Sequence, residues 1–387
     1  MGKHRYIPLV IMFILVVLFT YPGIAYAQES SSLSIQDALD MAYQNNPDLL
    51  KATLKVDKAK IQRDDAARAV TWIPTGGLIS PVYQQVFNSY QQAEINWDAA
   101  KKARDAEKDR LTQEVIAAYA QAIKDYNTME TTRLNLENMK EQRKVNSLAK
   151  EVGYSSEHDY NKFKSGLKGL DKGFEAAKAK YESSVASLVV LLGKTQGWDP
   201  ELTSRVVLNR YKRNEMSVEI NRALSESVLV MQEKALLDIA ENQQHWILPG
   251  VSSDTRKIDL GLAEIDYDQA KRSAWATMEG LYHGIDALEG QIEAAQIAYQ
   301  TAQEDLEIAQ LKYELGMIPR YSMIPDSESL SMAELGAAQK VMELESLQAD
   351  LAKNKAMFAY LTGKEVYAPG DWSGGGIIEI GRASCRE

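Results

Sequence analysis

The chain has 387 residues, 45% hydrophobic and 25% charged, with a formal net charge of −10, one cysteine and four histidines. That length allows two or more ordinary domains. The negative balance argues against nucleic acid or anionic lipid as the main partner, and the lone Cys385 excludes an intrachain disulfide.

Lys3 and Arg5 precede an uncharged run from Ile7 to Thr20, and Ala25-Tyr26-Ala27 offers small residues at both cleavage-determining positions. Residues 1–27 read as a secretory signal peptide whose apolar core is short for a spanning helix, so the mature chain is expected in the cell envelope. No cysteine stands at the cleavage point, which argues against a lipid anchor. Loss of Lys3 and Arg5 takes the net charge from −10 to −12.

The first repeat spans residues 28–193. It reads as a helix over about 35–70, an apolar corner at 71–81, a very long helix over 82–152, a glycine turn at 153–156 and a helix over 157–192. Leu111, Val115, Tyr119, Ala122, Tyr126 and Met129 alternate steps of four and three, the period of a left-handed supercoil. A linker, 194–215, carries Trp198-Asp199-Pro200 and the run Val206-Val207-Leu208. The second repeat, 216–363, reads as helices over about 217–244, 258–315 and 327–362. Its long helix keeps the same period at Leu281, Ile285, Leu288, Ile292, Ala295 and Tyr299. The tail, 364–387, ends in GGGIIEIGRASCRE, which matches nothing upstream and is set aside as read-through or added sequence.

Residues 95–153 align with 258–316 without a gap at a shift of 163, bringing Tyr119 onto Tyr282, Leu148 onto Leu311 and Gly153 onto Gly316. The corners match as well: Trp72-Ile73-Pro74 with Gly76 is answered by Trp246-Ile247, Pro249 and Gly250. Each half has a long apolar seam and no compact core, so copies must associate to bury it. The expected class is all-α, with long coiled-coil hairpins in two tandem repeats.

Ser32-Leu33, Ala38-Leu39, Ala42 and Asn45-Asn46-Pro47 resemble the opening of TolC-like outer membrane efflux proteins. Ala117-Ala118-Tyr119, the turns at Gly153 and Gly316, and the endings at Gly193 and Gly363 are similar to that family too. The resemblance implies a homotrimer whose six hairpins form a helical tunnel. Such a duct serves as exit channel for a periplasmic adaptor and an inner-membrane pump, without chemistry of its own. The rival reading is a non-conducting structural or adaptor-like coiled-coil envelope protein descended from such a channel. One departure is plain: members of the family carry paired barrel strands at the corners. A spanning strand needs about 9–11 residues, and neither corner holds two of them.

Trp72, Ile73, Trp246 and Ile247 have two readings, as a hydrophobic cap where helices reverse or as tips dipping into a membrane interface. At the opposite end, Arg320, Tyr321, Asp326 and Glu328 near the second glycine turn, with Asp159 near the first, are candidates for a tunnel-entrance gate by the same resemblance. Plain helix caps are the competing reading. The second hairpin arm is seven residues longer than the first, 47 against 40 from Gly316 to Gly363 and from Gly153 to Gly193. Catalysis is not expected. Gly193-Lys194-Thr195 follows a helix and lacks the first glycine of a phosphate loop, Leu188 standing there. Glu157-His158-Asp159 lacks partners at metal-ligand spacing. No cofactor and no metal are expected.

Overall fold

The computed structural model describes residues 32–71, 81–194, 197–206, 213–244, 252–322 and 328–374. Residues 1–27, read above as a signal peptide, Asp326 and all four corner residues Trp72, Ile73, Trp246 and Ile247 lie outside them. The helices are α1 (Ile35–Asn45), α2 (Pro47–Ala69), α3 (Pro81–Glu151), α4 (Glu157–Leu191), α5 (Met216–Glu226), α6 (Val228–Gln244), α7 (Ser253–Glu314) and α8 (Leu330–Leu361). Short strands β1 (Ser32–Leu33), β2 (Glu201–Leu202), β3 (Ser204–Val206) and β4 (Trp372–Gly374) complete the described residues, with a 3-10 turn at Pro369–Asp371. With 71 residues, α3 runs about 105 Å, and the 62 residues of α7 run about 93 Å.

Each repeat opens with two helices where the sequence reading expected one. Asn46 is extended at φ −73°, ψ 119°, because the ring of Pro47 disfavours helical geometry in the residue before it. The Asn46 side chain then accepts the backbone N–H groups of Asp48 and Leu49 and caps α2. The second repeat breaks at Ser227 without a proline, at φ −63°, ψ 116°. Ser252 caps α7 five residues earlier than the sequence reading placed its start, its Oγ accepting from Thr255 N–H at 3.0 Å. Residues 70–80 and 245–252 are thus all that separate the helices at the two corners.

The glycine turns close as expected. Gly153 at φ 78° and Gly316 at φ 70° occupy the left-handed region. Tyr154 N–H donates to Ala149 C=O at 2.8 Å, and Met317 N–H to Lys312 C=O at 2.8 Å, the same cap in both repeats. Gly193 serves a second purpose, since a Cβ there would stand 2.5 Å from Cβ of Asn45.

The helices form one layer. α2 and α4 pack on the same side of α3 at different heights, and α8 packs between α3 and α7; α5 and α6 lie against α7. On α4, Tyr160, Phe163, Leu167, Leu170, Phe174 and Tyr181 are half-buried at four-and-three spacing. Lys124 of α3 pairs with Asp350 of α8 at 2.6 Å, tying the two hairpins together.

The main core lies at the equator, where Leu33, Ile35, Leu39, Leu111, Val115, Tyr119, Leu188 and Leu192 are buried. A second core joins α5, α7 and α8 through Ile220, Met278, Ile285, Leu351 and Phe358. Tyr119 Oη donates to Leu33 C=O at 2.8 Å and accepts Ser204 N–H at 3.0 Å, while its ring meets Trp372 edge-on at 5.7 Å. β1 pairs with β2 in parallel and β3 with β4 antiparallel. Residues 364–374, which the sequence reading left outside the repeats as the start of the tail, therefore belong to the fold. Their signal is weak because a three-residue strand carries no periodicity.

Candidate functional site

The turns after α3 and α7 lie at the same end of the layer. Lys150 pairs with Glu157 at 2.6 Å and lies 4.9 Å from the Tyr160 ring; Lys312 pairs with Glu328 at 2.5 Å. Ser156 Oγ accepts Asp159 N–H at 3.1 Å and donates to the Asp159 carboxylate at 2.6 Å. That hydroxyl holds the Asp159 carboxyl below its usual range. The second turn is crossed by two backbone bonds, Leu330 N–H to Pro319 C=O at 3.2 Å and Ser331 N–H to Arg320 C=O at 3.0 Å. Arg320 bonds Tyr321, which pushes its guanidinium pKa up, and approaches Glu334 at 4.0 Å.

Of the proposed gate residues, the structure brings Arg320, Tyr321 and Glu328 into one turn, and Tyr321 lies close enough to act electrostatically on Lys144 of α3. Asp159 sits on the other side of α3, bonded to Ser156, the N-cap of its own helix. Within one copy these groups serve as caps and ion pairs.

Sequence reasoning missed what surrounds them. Leu148, Val152 and Tyr154 are exposed at the first turn, and Leu311, Leu315 and Met317 at the second. The shift of 163 pairs them residue by residue; the sequence reading matched Leu148 with Leu311 but took the pairing as a sign of the repeat and not of an exposed apolar surface. Two apolar triplets thus flank two left-handed glycines at one end of the protein.

The second feature is a pair of open edges. α2 and α4 form one edge and α7 the other. Leu50, Leu54 and Ile61 are exposed on α2, and Ile258, Leu262, Ile265, Trp275, Ile297 and Ile308 on α7. Buried charge, by contrast, is paired. Asp125 takes Lys180 at 2.8 Å, Gln121 at 3.0 Å and Ser184. Glu219 takes Lys364 at 2.7 Å and both N–H groups of Asn214. A cavity of about 50 Å³ lies beside Lys355, Ile116, Leu351 and Trp372, room for one or two waters. Burial pushes the Lys355 amine below its ordinary value.

Among the described residues no helix is long and apolar enough to cross a membrane, and no group of three side chains is placed to hold a metal ion. Long paired hairpins, duplicated glycine caps and an equatorial belt define a TolC-like fold. Comparison with solved structures agrees. The chain superposes on the CmeC outer membrane channel of Campylobacter jejuni with a TM-score of 0.58 at 14% identity, covering 86% of this chain and 87% of that one. For the MtrE outer membrane channel of Neisseria gonorrhoeae the values are 0.56, 14%, 86% and 89%. For the outer membrane protein VceC of Vibrio cholerae they are 0.55, 14%, 86% and 97%. No family model matches the sequence, and no curated protein matches it.

Proposed function

We propose that the protein is an efflux or secretion duct of the cell envelope, three copies closing a helical tunnel that conducts without catalysis. The observation that carries this reading is the layer itself, two hairpins side by side with apolar rows left exposed on both outer edges. A layer with two unpaired edges is completed by cyclic repetition, which buries both. The exposed triplets Leu148, Val152, Tyr154 and Leu311, Leu315, Met317 supply the docking face for a periplasmic adaptor leading to an inner-membrane pump. Trp72, Ile73, Trp246 and Ile247 remain the proposed capping or membrane tips of the other end.

Light scattering and averaged projections of the purified mature protein test this. A trimer with an open lumen is expected. A monomer, or a solid rod, overturns it.

A further inference from the structure

Beyond the equatorial core, on the side away from the glycine turns, four helical stretches run to the corners. They are α2, the first part of α3, α6 and the first part of α7. Each repeat clamps its pair there in the same way. In the first, Trp97 of α3 lies between Arg63 of α2, 4.3 Å from its ring centre, and Lys101 one turn along, at 3.7 Å. In the second, Tyr267 of α7 lies between Lys234 of α6 at 5.7 Å and Lys271 at 5.0 Å. Trp97 and Tyr267 are 170 residues apart, as are Lys101 and Lys271, so the clamp belongs to the repeat.

Such clamps are built for water. A ring meets the charge of an ammonium but leaves most of its N–H donors to other partners. Lys101, Lys234 and Lys271 each approach a carboxylate on their own helix, with side chains 38%, 46% and 41% exposed. In hydrocarbon those half-exposed ion pairs would lose the water that completes them.

Charge also encircles α2. Val56, Ala59 and Arg63 are turned to α3, while Lys55, Asp57, Lys60 and Asp65 are exposed and spread round the rest of the helix. Leu50, Leu54 and Ile61 are exposed too, but Asp57, Asp65 and Arg68 share their side. On α7 the exposed row Ile258, Leu262 and Ile265 extends only about 10 Å along the axis. Asp254 and Arg272 bound it on the same side. A lipid-facing wall needs an apolar band about 25–30 Å tall.

The corners add too little chain to supply one. Eleven residues, 70–80, join α2 to α3, and eight, 245–252, join α6 to α7. A loop that leaves and returns reaches at most half its extended length, about 20 Å and about 15 Å. A pair of spanning strands takes about 18–22 residues.

Resting on the duct reading, we propose that the tube ends in water at its corner end and delivers its cargo without a bilayer-crossing segment of its own. The clamped, charge-encircled helices stand where a spanning wall would carry its apolar band. The corners abut any bilayer beyond them from one side, and the cargo leaves into the aqueous compartment on that same side.

Cysteine accessibility tests this in sonicated envelopes from cells that make the full chain. In a Cys385→Ser background, Lys55→Cys, Asp57→Cys, Lys60→Cys and Asp65→Cys are treated with a membrane-impermeant maleimide. Labelling is read before and after a mild detergent that leaves the mass of the protein unchanged. Unchanged labelling at all four sites is expected, and alkaline carbonate releases the wild-type chain from the membranes. A site that labels only after detergent, or a wild-type chain that stays with the membranes in carbonate, overturns the water-ended tube and leaves the duct standing. A monomeric mass for the mature chain at neutral pH overturns the duct reading and this proposal with it.

Discussion

Replacing Tyr119 with phenylalanine removes one oxygen from the point where three remote segments meet. The ring remains buried against Trp372, so no cavity term arises. Leu33 C=O keeps a second donor, Thr203 N–H at 3.1 Å. Ser204 N–H loses the acceptor it had at 3.0 Å inside the equatorial core. A buried donor left without a partner costs about 1–3 kcal/mol, and the loss of the bond to Leu33 keeps the total in the upper half of that range. Urea unfolding followed by circular dichroism at fixed protein concentration reads this as a lower midpoint with an unchanged slope. Hydrogen exchange localises it, with the residue 204 amide and the β1–β2 pairing exchanging faster while α4 is unaffected. A midpoint equal to wild type, or faster exchange spread evenly through the helices, refutes the assignment of Tyr119 as the belt's anchor.

Three further outcomes are expected. Asp125→Asn lowers stability by about 1–3 kcal/mol at neutral pH. Burial alone raises the Asp125 pKa, but Lys180, Ser184 and Gln121 outweigh it and hold it low. Its contribution is therefore full above the ordinary carboxylate value and fades as pH falls through the folded pKa below it, so melting curves of wild type and variant converge in acid. Lys364→Met leaves the fully buried Glu219 without its ammonium and costs about 3–5 kcal/mol, part of which Glu219→Gln recovers in the double variant by chemical denaturation. Gly153→Ala adds a Cβ that meets nothing within 4 Å, so its cost is the left-handed backbone alone, about 1–2 kcal/mol, measured as a modest fall in melting temperature without loss of helix.

The long helices were legible because the same four-and-three alternation recurs at 111–129 and 281–299, inside a register of 59 residues that the two repeats share without a gap, and Gly153 and Gly316 mark ends only glycine accommodates cheaply. The breaks at Asn46 and Ser227 were harder. Asn-Pro can sit at the first turn of one helix or between two, and Ser227 has no proline to announce it. The strands were not legible, since Ser32–Leu33 and Trp372–Gly374 are ordered by partners far along the chain rather than by their own composition. The gate candidates were chosen by place and not by chemistry: Asp159, Arg320 and Glu328 stand beside the two glycine turns, and within one copy their bonds are those of caps and ion pairs. The open edges went unread because exposed alanine and glycine on a helix resemble solvated surface until the neighbouring helices are known.

The belt around Tyr119 also sets the order in which the molecule can form. Each glycine-turned hairpin closes over short loops and can zip as soon as its own residues are available. The belt instead joins Leu33 near one end of the described chain, through Tyr119, to Trp372 near the other, contacts far apart in sequence. Such contacts form slowly. Until Trp372 arrives, one edge of Tyr119 and one side of β3 stay uncovered. A chain crossing a membrane as an unfolded thread would thus assemble its arms first and fasten its waist last.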